Sequence, residues 1–202
     1  MKWRLDDSAL PKPGEIRVDP VKGKGTTDVP HGVIHDWRAS AVAPGASAAK
    51  VIAVLQDYDR YKTTFAPGVV DSKLLSHEGD RWHPFLRLYK KKIIAAVLNS
   101  EYDVEYRKLD QQRWAVISRS TRIAEVEDGK ELPPGTGHGF LWRLNAYWLI
   151  EQRPDSVYIE CRTLSLTRDV PSGLGWIVKP IVSSLPPESL RDTLEATIRA
   201  VR

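Results

Sequence analysis

Between Pro67 and Arg168 the sequence is a nearly continuous series of strand patterns separated by short turns. Connections this short favour antiparallel neighbours, because parallel strands need long crossovers. This meander constrains the fold more than any other feature. The predicted strands in it are Val69–Ser76, Trp82–Lys90, Ile93–Arg107, Arg113–Val126, Gly139–Arg153 and Ser156–Arg168.

A strand and two short helices are predicted before the meander, and one long helix after it. A strand is predicted at Val33–Val42, Ser47 can cap a helix over Ala48–Asp57, and a second short helix follows at Tyr58–Thr64. After Pro186 and Pro187, a long amphipathic helix is predicted, with apolar residues at helical spacing. The order indicates an α+β fold in which a curved antiparallel sheet of about seven strands wraps around the C-terminal helix. The predicted apolar face of that helix contains Leu190, Leu194, Thr197, Ile198 and Val201.

The first 31 residues differ in composition from the rest of the chain. Pro11, Pro13, Pro20 and Pro30 interrupt any helix in this segment, and several glycines accompany them. We expect residues 1–31 to form an extended or partly disordered arm. Residues 32–202 then form one domain, a size that a single hydrophobic core can support.

Charge and composition exclude several classes of protein. The net charge is +4 over 202 residues, and the basic residues are dispersed rather than clustered, which argues against nucleic-acid binding. No apolar stretch reaches the length of about 20 residues that spans a bilayer, so stable membrane insertion is not expected. Residues 1–31 have no signal-peptide core, yet removal of an export signal would leave the same sequence, so both the cytoplasm and an exported location stay open.

Metal and cofactor chemistry also lack a sequence signal. His31 and His35 stand four residues apart, but Pro30 and Gly32 place them at the start of a strand, where this spacing does not converge on a metal. Cys161 is the single cysteine and alternates with apolar residues. The stretch 135–139 is rich in glycine but precedes a strand, so it does not match a phosphate-binding loop. The sequence therefore predicts no metal and no cofactor.

Four stretches and the order of elements carry a resemblance to a known superfamily. The stretches are Ala43–Ala46, which leads into the first helix, Leu55–Tyr61, the strand Gly139–Trp148 and its successor Ser165–Pro171. They resemble the START-like, or SRPBCC, superfamily, which has the helix-grip fold, and within it an uncharacterised bacterial subgroup. The resemblance covers roughly Val33 to Arg202. It implies a deep apolar cavity between the sheet and the C-terminal helix, whose usual contents are lipids, sterols, polyketides or quinones.

Candidate ligand-binding residues follow from this cavity and from strand alternation. If Trp37 faces inward, so does His35. In the strand Gly139–Arg153 both faces are largely apolar, and if Trp142 and Trp148 cover the outside, the intervening polar residues face inward. The polar candidates are His35, Arg143, Asn145 and Tyr147, and the further lining candidates are Trp37, Tyr102, Tyr106, Leu194 and Ile198. For Arg143 the favoured alternative is a buried pair with a carboxylate on a neighbouring strand.

Three functions remain after these exclusions. The first is binding or transport of a hydrophobic small molecule by a monomer or weak homodimer. The second is an enzyme resembling polyketide cyclases or aromatases, with cyclase- or dehydratase-like chemistry, although no catalytic residue can be assigned and the sequence favours a non-enzymatic role. The third is a protein-interaction module with a filled core that uses the Trp-rich strand.

Overall fold

A single antiparallel sheet organises the protein. The computed structural model describes residues 10–91, 95–168 and 175–202, with side chains in the last range from residue 184 onward. The main strands follow one another in the sheet in the order β1–β3–β10–β9–β7–β6–β5–β4, while β2 pairs with β3 and β8 pairs with β7. The strands are β1 (Ile16–Pro20), β2 (Thr26–Val29), β3 (Gly32–Pro44), β4 (Val69–Glu78), β5 (Arg81–Lys91), β6 (Ala95–Lys108), β7 (Arg113–Glu127), β8 (Lys130–Glu131), β9 (Arg143–Arg153) and β10 (Ser156–Arg168).

Among the described residues, three α-helices accompany the sheet. They are α1 (Ala48–Gln56), α2 (Tyr61–Thr64) and α3 (Gly175–Val201), and a short 3-10 turn at Tyr58–Arg60 joins the first two. Helix α1 begins where the Ser47 hydroxyl accepts a hydrogen bond from the Lys50 amide at 3.3 Å, which satisfies one of the amides that a helix start leaves unpaired.

The predicted helix-grip fold is confirmed, with seven long strands near the predicted places, although the strand predicted from Gly139 begins only at Arg143. Alternation identified them because each buries one face. The predicted residues Ile93 and Ile94 at the start of the third meander strand lie outside the described residues, as do residues 169–171 at the end of the stretch that carried the resemblance. Three short strands were not predicted. Two of them, β1 and β2, lie within residues 1–31, where they are extended and pair with β3.

The C-terminal helix is longer than the sequence predicts. It begins at Gly175 and runs through Pro186 and Pro187, so the prediction that the proline pair leads into the helix is wrong. Proline is frequent in the first helical turn because its missing amide would be unpaired there. Here the two prolines do not mark the helix start, since Pro186 and Pro187 lie eleven and twelve residues after Gly175.

The hydrophobic core lies between one face of the sheet and the helices. Residues of β3, β6, β7, β9 and β10 share one cluster of buried side chains with Val51 and Leu55 of α1 and with Leu194 and Ile198 of α3. We call the sheet face that carries this cluster the concave face and its opposite the convex face.

Candidate functional site

One row of side chains crosses the concave face from β3 to β5. Strand register places these residues directly opposite one another on six successive strands. Apart from Val104, which is buried, every member keeps part of its surface exposed. The row, called here the central row, consists of Trp37, Thr163, Ala146, Ser118, Val104 and Trp82.

The neighbouring row on the same face is fully buried. It comprises Ala39, Cys161, Trp148, Val116 and Tyr106, whose exposed fractions lie between 0% and 7%. These residues belong to the same cluster as the side chains of α1 and α3. Burial on the concave face therefore changes within one step along the strands, from a closed core to the partly exposed central row.

The row on the other side of the central row has buried ends and a partly exposed middle. Its members, called here the outer row, are His35, Ser165, Leu144, Ser120 and Tyr102. Leu144 and Ser120 are half-buried, and the Leu144 amide donates to the Ser120 hydroxyl at 3.0 Å. The two rows together form a partly exposed patch in the middle of the sheet.

His35 and Tyr102 close the two ends of the outer row. His35 is 1% exposed, and its Nε2 atom lies 3.1 Å from the Thr167 hydroxyl. Burial lowers the pKa of His35 below its ordinary value of 6.5, so the ring is neutral at pH 7. His35 Nδ1 and the Tyr102 hydroxyl have no hydrogen-bond partner among the described residues. Both predicted site residues therefore face the concave side with an unpaired polar atom.

Tyr106 has a different role, although it was predicted to line the same site. Its hydroxyl donates to the Leu55 carbonyl at 2.5 Å and lies 2.8 Å from the Tyr58 hydroxyl. Tyr61 donates to the same carbonyl at 2.6 Å. This carbonyl lies in the last turn of α1, where helical carbonyls lack a partner. The polar end of Tyr106 is thus occupied in fixing α1 to the sheet.

The remaining apolar candidates divide between core and patch. Leu194 and Ile198 of α3 are buried within the hydrophobic cluster. Trp37 is half-buried and packs against that cluster, and its indole lies beside Gly25, where an added Cβ would be only 2.5 Å from the ring.

The predicted inward orientation of Arg143, Asn145 and Tyr147 is wrong. These residues alternate with Leu144, Ala146 and Trp148, which lie on the concave face, so they lie on the convex face. Arg143 is exposed and donates to the neighbouring Trp142 carbonyl at 3.1 Å, so its predicted buried ion pair is also absent among the described residues. The sequence could not assign the faces of β9, because both of them are rich in apolar residues.

Glu125 is a buried carboxylate that the sequence analysis missed. It is 5% exposed and accepts hydrogen bonds from three successive amides, those of His138 at 2.7 Å, Gly139 at 2.6 Å and Phe140 at 2.8 Å. Gly137 has φ +83°, and an added Cβ there would lie 2.5 Å from the carboxylate. Glu125 therefore fixes the glycine-rich loop before β9 against the end of β7.

Two further kinds of feature are absent from the described part of the chain. No three His, Cys, Asp or Glu side chains among the described residues approach one another closely enough to hold a metal ion. None of the described helices combines the length and the apolar composition required to span a bilayer.

Solved structures share this architecture. A STAR-related lipid transfer protein from Xanthomonas axonopodis superposes with a TM-score of 0.57 at 20% identity, covering 88% of this chain and 99% of that one. The chain has the START-like helix-grip fold. The Zhui aromatase/cyclase from Streptomyces has a TM-score of 0.56 at 12% identity, covering 83% and 91% of the two chains.

A START superfamily protein from Mycobacterium smegmatis is similar to the same extent. Its TM-score is 0.54 at 14% identity, and the alignment covers 83% of this chain and 97% of that one. In sequence, neither a protein-family model nor a curated protein matches the chain. At these identities the likeness defines the START-like fold, and the function has to be argued from the concave face itself.

Proposed function

We propose that this protein binds one hydrophobic small molecule over the central row of its concave face. The observation that carries the proposal is the partial exposure of Thr163, Ala146 and Ser118. These residues lie on β10, β9 and β7, which have strand neighbours on both sides. A filled core buries such positions, as it does in the adjacent row.

The chemistry of the patch suits an apolar guest. Two indoles, Trp37 and Trp82, lie at the ends of the central row, and the small side chain of Ala146 lies at its middle. Burial of apolar surface contributes about 25 cal/mol per Å², so a molecule covering this patch gains affinity from shape and area. Pockets for small molecules are usually of this kind, mainly apolar with a few polar groups.

The fold of the structural neighbours supports the same proposal. One of them is a lipid transfer protein and another is an aromatase/cyclase, so this architecture occurs in both a lipid carrier and an enzyme. Binding is the part common to these two functions. The described residues of the central row offer hydroxyl groups and no ionisable side chain, so this row gives no support to acid–base chemistry.

The test is a fluorescence titration with N-phenyl-1-naphthylamine, a neutral apolar probe. We expect saturable binding of one probe per chain and displacement by an apolar competitor. Thr163→Phe places a larger side chain on the concave face and should weaken binding at least about tenfold. Leu164→Phe, at the adjacent half-buried position on the convex face, is the matched control and should leave the affinity unchanged.

Three outcomes would contradict the proposal. One is the absence of saturable binding to the folded protein. Another is equal loss of affinity in Thr163→Phe and Leu164→Phe. The last is loss of affinity in the control alone, which would place the site on the convex face. Native mass spectrometry of the purified protein gives an independent readout, because a guest retained from the cell adds a discrete mass to the chain.

A further inference from the structure

The central and outer rows contain no charged group at neutral pH among the described residues. His35 is the single ionisable side chain in them apart from Tyr102, and burial lowers the His35 pKa. Every other side chain of the two rows is apolar or carries a hydroxyl group. These two rows are therefore electrically neutral, and the next ionisable side chain is that of His77 on β4, which stacks on Trp82 at the end of the central row.

Three charged side chains near the strand ends on the concave face have partners. The ammonium group of Lys90 is 3.1 Å from the Asp192 carboxylate on α3. Lys108 lies over the Trp114 ring at 5.5 Å. The carboxylate of Glu125 is held by three backbone amides. Both lysines are thus engaged with other groups, and Glu125 is itself negative, so none of the three neutralises an anionic guest.

A charge on the guest would consequently weaken binding, because the charged group loses its water. Moving an ionised carboxylate or phosphate from water into a site without a counter-charge costs several kcal/mol after relaxation. The negative charge of Glu125 at the end of β7 adds to this cost rather than offsetting it. Desolvation of a neutral oxygen costs much less free energy, and one hydrogen bond in the site offsets this cost.

Two hydroxyl groups are placed to form such hydrogen bonds. Ser118 and Thr163 flank Ala146 in the central row, so their Cα atoms lie roughly 9–10 Å apart, two strand spacings along the sheet. Both residues are half-buried. Neither hydroxyl has a hydrogen bond to another described side chain or backbone group, in contrast to the Ser120 hydroxyl in the outer row.

We infer that the guest is an uncharged apolar molecule with a hydrogen-bonding oxygen, such as an ester, ketone or alcohol, and that the hydroxyl group of Ser118 or of Thr163 binds this oxygen. This inference rests on the proposed function, since it names the class of molecule that the concave face takes. It separates neutral guests from fatty-acid carboxylates and from phosphate-bearing headgroups of similar chain length.

The experiment compares cis-parinaric acid with its methyl ester by fluorescence titration at about pH 8, where the free acid is ionised. The two probes have the same polyene chain and differ in charge. We expect the ester to bind at least about tenfold more tightly. The double variant Ser118→Ala/Thr163→Val should weaken ester binding about three- to tenfold more than it weakens binding of N-phenyl-1-naphthylamine, which has no oxygen to bind. Thr121→Val, an exposed hydroxyl of β7 outside both rows, is the control and should behave as the wild type.

Each contrary result has a distinct meaning. If the acid binds as tightly as the ester or more tightly, the inference about charge is wrong and the proposed function stands. If the double variant binds the ester normally, the assignment of the two hydroxyl groups is wrong. If the folded protein binds none of the three probes, the proposed function fails and the inference fails with it.

Discussion

Two tyrosines on one face of β6 differ in what their hydroxyl groups do. Tyr106 lies in a network with Tyr58 and the Leu55 carbonyl, whereas the buried Tyr102 hydroxyl has no partner among the described residues. Burial raises the pKa of both phenols, that of Tyr102 to about 12. Both hydroxyls are therefore protonated near neutral pH, and they differ in the stability that each contributes.

Substitution by phenylalanine separates the two roles. Tyr106→Phe leaves the Tyr58 hydroxyl with one partner fewer and should lower the free energy of unfolding by about 1–3 kcal/mol. Tyr102→Phe removes a buried hydroxyl without a partner and should change stability by less than about 0.5 kcal/mol or increase it. Urea denaturation of both variants measures the difference, and equal destabilisation by the two would contradict it.

Residue orientation was predictable only where one strand face is polar. His35 and Tyr102 lie on strands with a clear alternation, and their predicted inward orientation agrees with their burial. In β9 apolar side chains occupy both faces, so Arg143, Asn145 and Tyr147 were assigned to the wrong face. The pairing of β9 with β7 and β10 determines which of its side chains lie on the concave face. This pairing involves residues distant in the chain, so the sequence of one strand does not specify it.

At the level of elements, the loop before β9 is attached to β7 through one side chain. Glu125 accepts hydrogen bonds from three successive loop amides. Arg168 of β10 supports the loop from the other side, donating to the Gly137 carbonyl at 3.1 Å. The glycine pattern at 135–139 predicted a loop here, but the carboxylate partner lies ten residues or more upstream and gave no local signal.

The isosteric variant Glu125→Gln tests this attachment. Its amide has one acceptor oxygen instead of two, so at least one loop amide loses its partner, and we expect a loss of about 1–2 kcal/mol in stability. Hydrogen exchange of the amides at 138–140 should accelerate. Glu127→Gln removes the negative charge from an exposed contact of 3.1 Å to His138 in the same loop and should change stability by less than about 0.5 kcal/mol. Unchanged exchange in Glu125→Gln would show that the loop is held by other contacts.

The ends of the strands and helices are likewise only partly predictable from the local sequence. Long strands were predictable because alternation persists over many residues. The short strands β1 and β2 lie in a segment rich in proline and glycine, and they form because β3 offers an edge for pairing. The proline pair predicts the wrong start for α3, because proline is typical of a first helical turn whereas this helix continues through both prolines.

At the level of the whole molecule, burial is graded along the concave face. Beside the closed core the row from Ala39 to Tyr106 is buried, and the central row next to it is partly exposed although it lies in the middle of the sheet. The START-like fold was predictable from element order. The exposure gradient was not, since it depends on how far the helices extend over a sheet whose curvature the sequence does not specify.

Ala146→Phe tests most directly whether there is space over the central row. If the space exists, the larger side chain occupies it, so the free energy of unfolding should change by less than about 1 kcal/mol while binding of N-phenyl-1-naphthylamine is lost. Asn145→Ala, on the convex face of the same strand, should retain binding. A destabilisation of about 1–3 kcal/mol, as overpacking of a filled core produces, together with no probe binding by the wild type, would contradict the account.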